Sequence, residues 1–131
     1  MTLTEIFSII IIHWFADFVM QDEKWALGKS KNWKDLLTHT YCYSLIWLII
    51  GMIMQIINKG EFYSPWSVIL FVLITFICHT ITDYFTSRIV AKKFAKQEYG
   101  SPIPNTGAFT IIGIDQVLHY IQLFGTYYLL T

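Results

Sequence analysis

Apolar residues run along this chain in four long stretches, and the polar residues that interrupt them recur at helical spacing rather than in strand alternation. The stretches are Leu3 to Gln21, Leu36 to Ile57, Ser64 to about Arg88, and Phe109 to Leu130. Each is near the roughly 20 residues that a helix needs to cross a hydrocarbon core about 30 Å thick. Pro65 enters the third at a position where a first helical turn tolerates proline. Asn58 to Tyr63, around Lys59-Gly60, reads as a tight turn, and the helix breakers from Gly100 to Gly107 read as a loop. The pattern predicts an all-α fold: a four-helix transmembrane bundle of up-down topology, with residues 1–131 forming one four-span integral membrane domain.

Composition strengthens this reading. Hydrophobic residues make up 55% of the 131, charged residues only 14%, and the mean hydropathy is +0.51. A water-soluble domain carries about a quarter charged residues. The net charge is zero, but its distribution is uneven. Lys24, Lys29, Lys31 and Lys34 fall between the first two stretches, Arg88, Lys92, Lys93 and Lys96 between the last two, and Lys59 alone on the other side. The positive-inside bias then places both basic connections in the cytoplasm and both termini outside. Arg88, Lys92 and Lys96 recur at i+4, which predicts that the third helix continues past the membrane, either onto anionic lipid or as a solvated end. Trp25, Trp33, Trp66, Tyr63 and Tyr99 flank the stretches as interfacial anchors. Cys42 and Cys78 read as small packing residues, and the N-terminus lacks the basic region of a cleaved signal peptide.

The chemistry lies in the polar interruptions. All four histidines fall inside apolar stretches, and three have an aspartate four residues away: His13 with Asp17, His79 with Asp83, and Asp115 with His119. Residues at i and i+4 share a helix face. The order is reversed in the fourth stretch, which in an up-down bundle runs opposite to the first and third. At about 1.5 Å per residue this sets the three aspartates roughly 6 to 9 Å from the basic end and the three histidines roughly 12 to 15 Å from it. On the second helix His39 falls near the aspartate level and Tyr43 near the histidine level.

A carboxylate in hydrocarbon costs about 2.5 to 3.5 kcal/mol on the most lenient scale, so three together require compensation. A divalent cation supplies it, with His13, Asp17, His39, His79, Asp83, Asp115 and His119 as candidate ligands. Zinc suits this donor set, as do iron and manganese. Seven side chains exceed one tetrahedral shell, so either two ions bind or some aspartates orient histidines. A metal-free proton relay and haem ligation are the competing readings. Gln21, Gln116, Thr80 and Thr82 stand nearby as hydrogen-bonding partners or helix-contact residues, and Arg88 as a holder of an anionic group or a snorkelling charge.

Four strings carry a resemblance: His13-Trp-Phe-Ala-Asp17-Phe-Val-Met-Gln21, Ser30 through His39, His79-Thr-Ile-Thr-Asp83-Tyr-Phe-Thr-Ser-Arg88, and Ile114-Asp115-Gln116-Val-Leu-His119. Together they resemble the small bacterial and phage membrane proteins grouped as domain of unknown function 3307. More distantly, the arrangement is similar to small membrane proteins labelled as membrane-bound metal-dependent hydrolases, and that likeness implies a direction for function.

The expectation is therefore a membrane-embedded metal-dependent hydrolase acting near the cytoplasmic leaflet on a lipid-linked or amphiphilic ester, amide or phosphoester. Asp17, His39, Asp83 and Asp115 are the candidates for proton transfer. The alternatives are a cation or proton transporter or channel, and a small membrane adaptor with a structural metal site. Membrane lipid is an expected partner and nucleic acid is not, since the basic residues are split between two short connections. The sequence leaves the oligomeric state open.

Overall fold

The computed structural model describes residues 1–58, 62, 64–100 and 106–131. It contains five α-helices and, among the described residues, no strand. Helix α1 is Leu3–Trp14 and runs on into a π-helical turn, Phe15–Val19. Helices α2 (Glu23–Gly28), α3 (Trp33–Asn58), α4 (Pro65–Ala95) and α5 (Ala108–Leu130) follow. The four apolar stretches thus correspond to α1 with its π turn, α3, α4 and α5. Most of the predicted 58–63 turn, including Lys59, Gly60 and Tyr63, and residues 101–105 of the predicted loop lie outside the described residues.

Local chemistry explains the boundaries. Thr2 and Glu5 form a reciprocal capping box that starts α1. Ser64 caps α4 by accepting from the Ser67 amide at 3.3 Å, with Pro65 in the first turn. Gln97, at φ 59°, takes the chain out of α4. Helix α2 was not expected: it occupies six residues of the first basic connection, too few to show periodicity, and begins where Asp22 accepts from the Lys24 amide at 2.8 Å. Helix α4 does continue beyond Arg88, to Ala95. At about 1.5 Å per residue its 31 residues span roughly 46 Å, well beyond a hydrocarbon core.

Side-chain contacts give the helix directions. From His39 to Trp47 along α3, the contacted residue on α4 recedes from His79 to Phe71, so the two run antiparallel. The same holds for α4 and α5, where Thr86 meets Asp115 and Thr75 meets Gln122, and for α1 and α5, where His13 meets Gln116 and Glu5 meets Tyr127. The π turn packs on α3, which closes the ring of contacts around one interior.

That interior is polar at the end carrying the basic connections and apolar at the other. Ile9, Tyr43, Trp47, Phe62, Val68, Phe71, Leu123 and Tyr127 fill the apolar half. Outward-facing positions are conversely aliphatic and aromatic, among them Ile11, Ile49, Ile53, Leu73, Ile77, Ile81 and Ile121. Ionisable groups inside and apolar side chains outside is the polarity expected in lipid rather than water. Helices α3 and α4 are long and apolar enough to cross a membrane.

Gly51 packs tightly against α4, because a Cβ there would lie 2.8 Å from Val68 Cγ1, and Val68 is fully buried. Gly51→Ala is expected to lower stability by about 1–2 kcal/mol, the overpacking strain exceeding the gain in helix propensity. Thermal unfolding in detergent checks this, and adding Val68→Ala should recover most of the loss.

Candidate metal centre

Each long segment contributes to one buried layer. The first supplies His13 and Asp17, α3 supplies His39 and Tyr43, α4 supplies His79, Asp83 and Thr86, and α5 supplies Asp115, Gln116 and His119. All four histidines and these three aspartates are buried, the least so being Asp115 at 8% exposure. The π turn matters here. Its wider turn buries the consecutive residues Ala16 and Asp17 together, so the segment presents a carboxylate without losing its packing contact.

Four atoms converge at the centre. His39 Nε2 lies 3.1 Å from Asp17 Oδ1, 3.1 Å from Asp83 Oδ2 and 3.2 Å from His79 Nε2. His79 Nε2 lies 3.6 Å from Asp17 Oδ1 and 3.7 Å from Asp83 Oδ2. A tetrahedral ion with bonds of about 2.0–2.1 Å has edges of about 3.3–3.4 Å between its donors. Five of the six edges of such a set bracket that value, and the groups whose donors all lie within 4.8 Å of one another include Asp17, His39 and His79, and His79, Asp83 and His119. Asp17 Oδ1 makes no well-aligned hydrogen bond despite its short contacts, as expected of an oxygen placed for a cation rather than an N–H. These buried groups could hold a metal ion.

A second group adjoins the first. His119 Nε2 is 3.3 Å from Asp83 Oδ1 and 3.4 Å from Asp115 Oδ2, so Asp83 faces both groups with different oxygens. Asp17, Asp115 and His119 also offer donor atoms within 4.8 Å of one another. Thr86 Oγ1 donates to Asp115 Oδ1 at 2.6 Å, and the Gln116 amide donates to Asp115 Oδ2 at 3.1 Å and Asp17 Oδ2 at 3.3 Å. These bonds fix the carboxylates by the outer hydrogen bonding that metal centres require.

His13 stands apart from the other histidines. Its Nδ1 meets the Tyr43 hydroxyl at 2.7 Å and its Nε2 the Gln116 carbonyl oxygen at 2.9 Å, while Asp17 is 3.9 Å away. Both ring nitrogens are thereby engaged away from the converging donors, and no candidate ligand group among the described residues includes it. His13 positions Gln116 and Tyr43. Tyr43 in turn stacks on His79, with ring centroids 3.9 Å apart.

Among the other residues singled out from sequence, Thr80 donates to Thr40 at 3.0 Å and to the Phe76 carbonyl, bracing α4 on α3. Thr82 offers its carbonyl to Thr86. Arg88 lies over the Tyr84 ring, 3.7 Å from its centroid, and donates to the Tyr84 carbonyl, so its charge is held at the helix surface. Sequence reasoning missed Lys29. Treated as one of the charges that orient the chain, it instead enters the site and donates to Asp83 Oδ2 at 2.8 Å. Burial pulls its ammonium pKa down, but the charges of Asp83 and Asp17 outweigh that and raise it, so Lys29 stays cationic.

A cavity of about 540 Å³ reaches the layer from the end bearing the basic connections, and Asp17, Asp115 and Gln116 form part of its wall.

The fold and site define an all-helical protein with helices apolar enough for a membrane and a buried histidine–aspartate cluster able to hold a metal ion. Residues 6–131 match the family described as protein of unknown function (DUF3307), and the chain belongs to that family. No curated protein and no solved structure matches it, so the more distant likeness to hydrolases gains no support from the comparisons.

Proposed function

We propose that this protein is a four-span inner-membrane protein that binds one or two divalent cations, zinc in the first instance, and hydrolyses an amphiphilic substrate at the cytoplasmic side of the bundle. The observation that carries the reading is the Asp17–Asp115–His119 group, two of whose three members line the cavity. Three protein donors facing an open space is the pattern of a catalytic site, whereas four closed around an ion is that of a structural one. In this reading His39, His79, Asp17 and Asp83 hold a closed ion, and the open group lies beside it.

A cation at the open group would make a bound water nucleophilic near neutral pH and polarise the scissile bond. Asp17, Asp115 and His119 would hold that cation, and Asp115, which offers a second carboxylate oxygen and opens on the cavity, would take the proton from the water. His119, within reach of both Asp115 and Asp83, keeps the charge balanced as the proton moves. The positive-inside distribution and the length of α3 and α4 support the orientation. Trp47, Phe71 and Leu123 lie between the polar layer and the far end, where a cavity of about 190 Å³ also opens, so hydrolysis and transport are separated by the flux assay below.

The closed four-atom group also favours a second reading, a structural ion that staples the helices. Elemental analysis of the full chain, with ester and phosphoester turnover assays and a liposome flux assay, separates these. The proposal expects bound metal, chelator-sensitive turnover and no flux. Asp115→Asn should lose turnover by at least about a hundredfold while retaining one equivalent of metal, in line with removal of a general base. Metal without turnover on either substrate class leaves the staple, and flux through the metal-loaded protein makes it a transporter.

A further inference from the structure

We infer that the cavity binds a long-chain alcohol phosphate monoester, with the phosphate at the Asp17–Asp115 end and the chain along the apolar wall. This deepens the hydrolase reading and rests on it. The cavity, at about 540 Å³, is of the size that holds small ligands. Its inner end is formed by the carboxylates of the open group, and Lys29 and Lys31 stand in its lining. Phe18, Leu27, Val90, Phe94 and Ile112 line much of the rest, together with the polar Gln21, Ser30, Thr86 and Ser87.

Charge selects the head group. The three aspartates of the layer are balanced by one divalent cation together with Lys29, which already pairs with Asp83. Lys31 has no ion-pair partner among the described residues, and a second cation at the open group adds further positive charge. The loaded cavity is therefore cationic, which excludes cationic amphiphiles and favours a dianionic head over a neutral one. Ser87 adds a second, independent indication. Its hydroxyl is buried, lines the cavity and has no hydrogen-bond partner among the described residues, so it is free to donate to a phosphate oxygen.

The apolar wall selects the tail. A free phosphate ion would leave Phe18, Leu27, Val90 and Phe94 uncovered, whereas an alkyl chain covers them. In the reaction, the water oxygen bonds to phosphorus as the phosphorus–oxygen bond to the alcohol breaks. The proton that Asp115 takes from the water passes to the departing alkoxide, and the products are the lipid alcohol and inorganic phosphate.

Binding of radiolabelled dodecyl phosphate to the metal-loaded full chain in nanodiscs tests this, with dodecyl maltoside, dodecyltrimethylammonium and inorganic phosphate as competitors. Dodecyl phosphate should bind, inorganic phosphate should compete at least about tenfold more weakly, and the neutral and cationic amphiphiles should not compete. Lys31→Glu, on the exposed rim, and Ala91→Trp, which fills the cavity from its wall, should each weaken binding about tenfold with metal content unchanged. Equal competition by dodecyl maltoside, equal affinity for inorganic phosphate, or wild-type binding by both variants overturns the inference. Metal-dependent cleavage of a neutral ester without dodecyl phosphate binding would sink this inference alone. Absence of bound metal would sink the hydrolase reading and this inference with it, because the positive charge of the cavity depends on the cations.

Discussion

Asp83→Asn is expected to abolish most of the metal binding proposed above and to destabilise the bundle by about 2–4 kcal/mol. Asp83 joins the two donor groups: Oδ2 faces His39, His79 and Lys29, and Oδ1 faces His119. Asparagine keeps the shape and one acceptor oxygen but removes the charge. Lys29 then remains as a cation in a buried layer with its principal partner gone. Breaking such a pair costs about 3–5 kcal/mol when fully buried, and the 17% exposure of the Lys29 side chain trims that. The double variant Lys29→Met/Asp83→Asn separates the two roles. Removing the stranded ammonium should recover most of the stability, measured by thermal unfolding in detergent, while metal content stays low. If the double variant regained metal, Asp83 would not be a ligand; if Asp83→Asn alone were as stable as wild type, the Lys29 contact would contribute nothing.

The second large effect distinguishes among the histidines. A four-donor zinc site contributes about 10–16 kcal/mol of binding, so one donor is worth on the order of 3 kcal/mol, or roughly a hundredfold in affinity. His39→Ala is expected to show that loss, since its Nε2 is the shortest-contact atom of the converging set. His79→Gln should show a similar loss, with glutamine chosen to limit the hole left between Tyr43 and His119, which stack on either side of the ring. His13→Ala should cost about tenfold, the lower end of the roughly 10–100-fold range for residues that orient ligands rather than bind the ion. Competition with a chelator of known affinity measures all three. Equal losses would show that His13 swings onto the ion, and no loss at His39 would dissolve the four-atom centre.

Much of the architecture could be read from the chain because the relevant forces are local. The helices follow from stretches long enough to span hydrocarbon and from end signals such as Thr2, Ser64 and Pro65, all properties of neighbouring residues. The His13/Asp17, His79/Asp83 and Asp115/His119 spacings, with their reversal in the last stretch, likewise place six side chains on inward faces by helix geometry alone. His39 and Tyr43 were placed at their levels by the same counting, and the contacts His39–Asp17 and Tyr43–His13 join those levels.

Face and depth say where a side chain can reach, not which of its atoms meets which partner. His13 and His79 have the same i,i+4 relation to an aspartate, yet only rotation of one helix against the next gives His13 to Tyr43 and Gln116 and leaves His79 facing His39. Lys29 could not be recovered from sequence either, because a cation in a connection between helices scores the same for topology whether it points to solvent or folds back 54 residues along the chain to Asp83. The π turn that delivers Asp17, the antiparallel ring that closes α1 on α5, and the cavity beside Asp115 are likewise properties of the packed chain. The sequence by itself determined the helices, their apolar exteriors and the set of acids and imidazoles turned inward, since these depend on covalent spacing and burial. Tertiary structure alone decided which of those groups converge within ligand distance and which serve to hold them, since that depends on how four helices rotate and pack against one another.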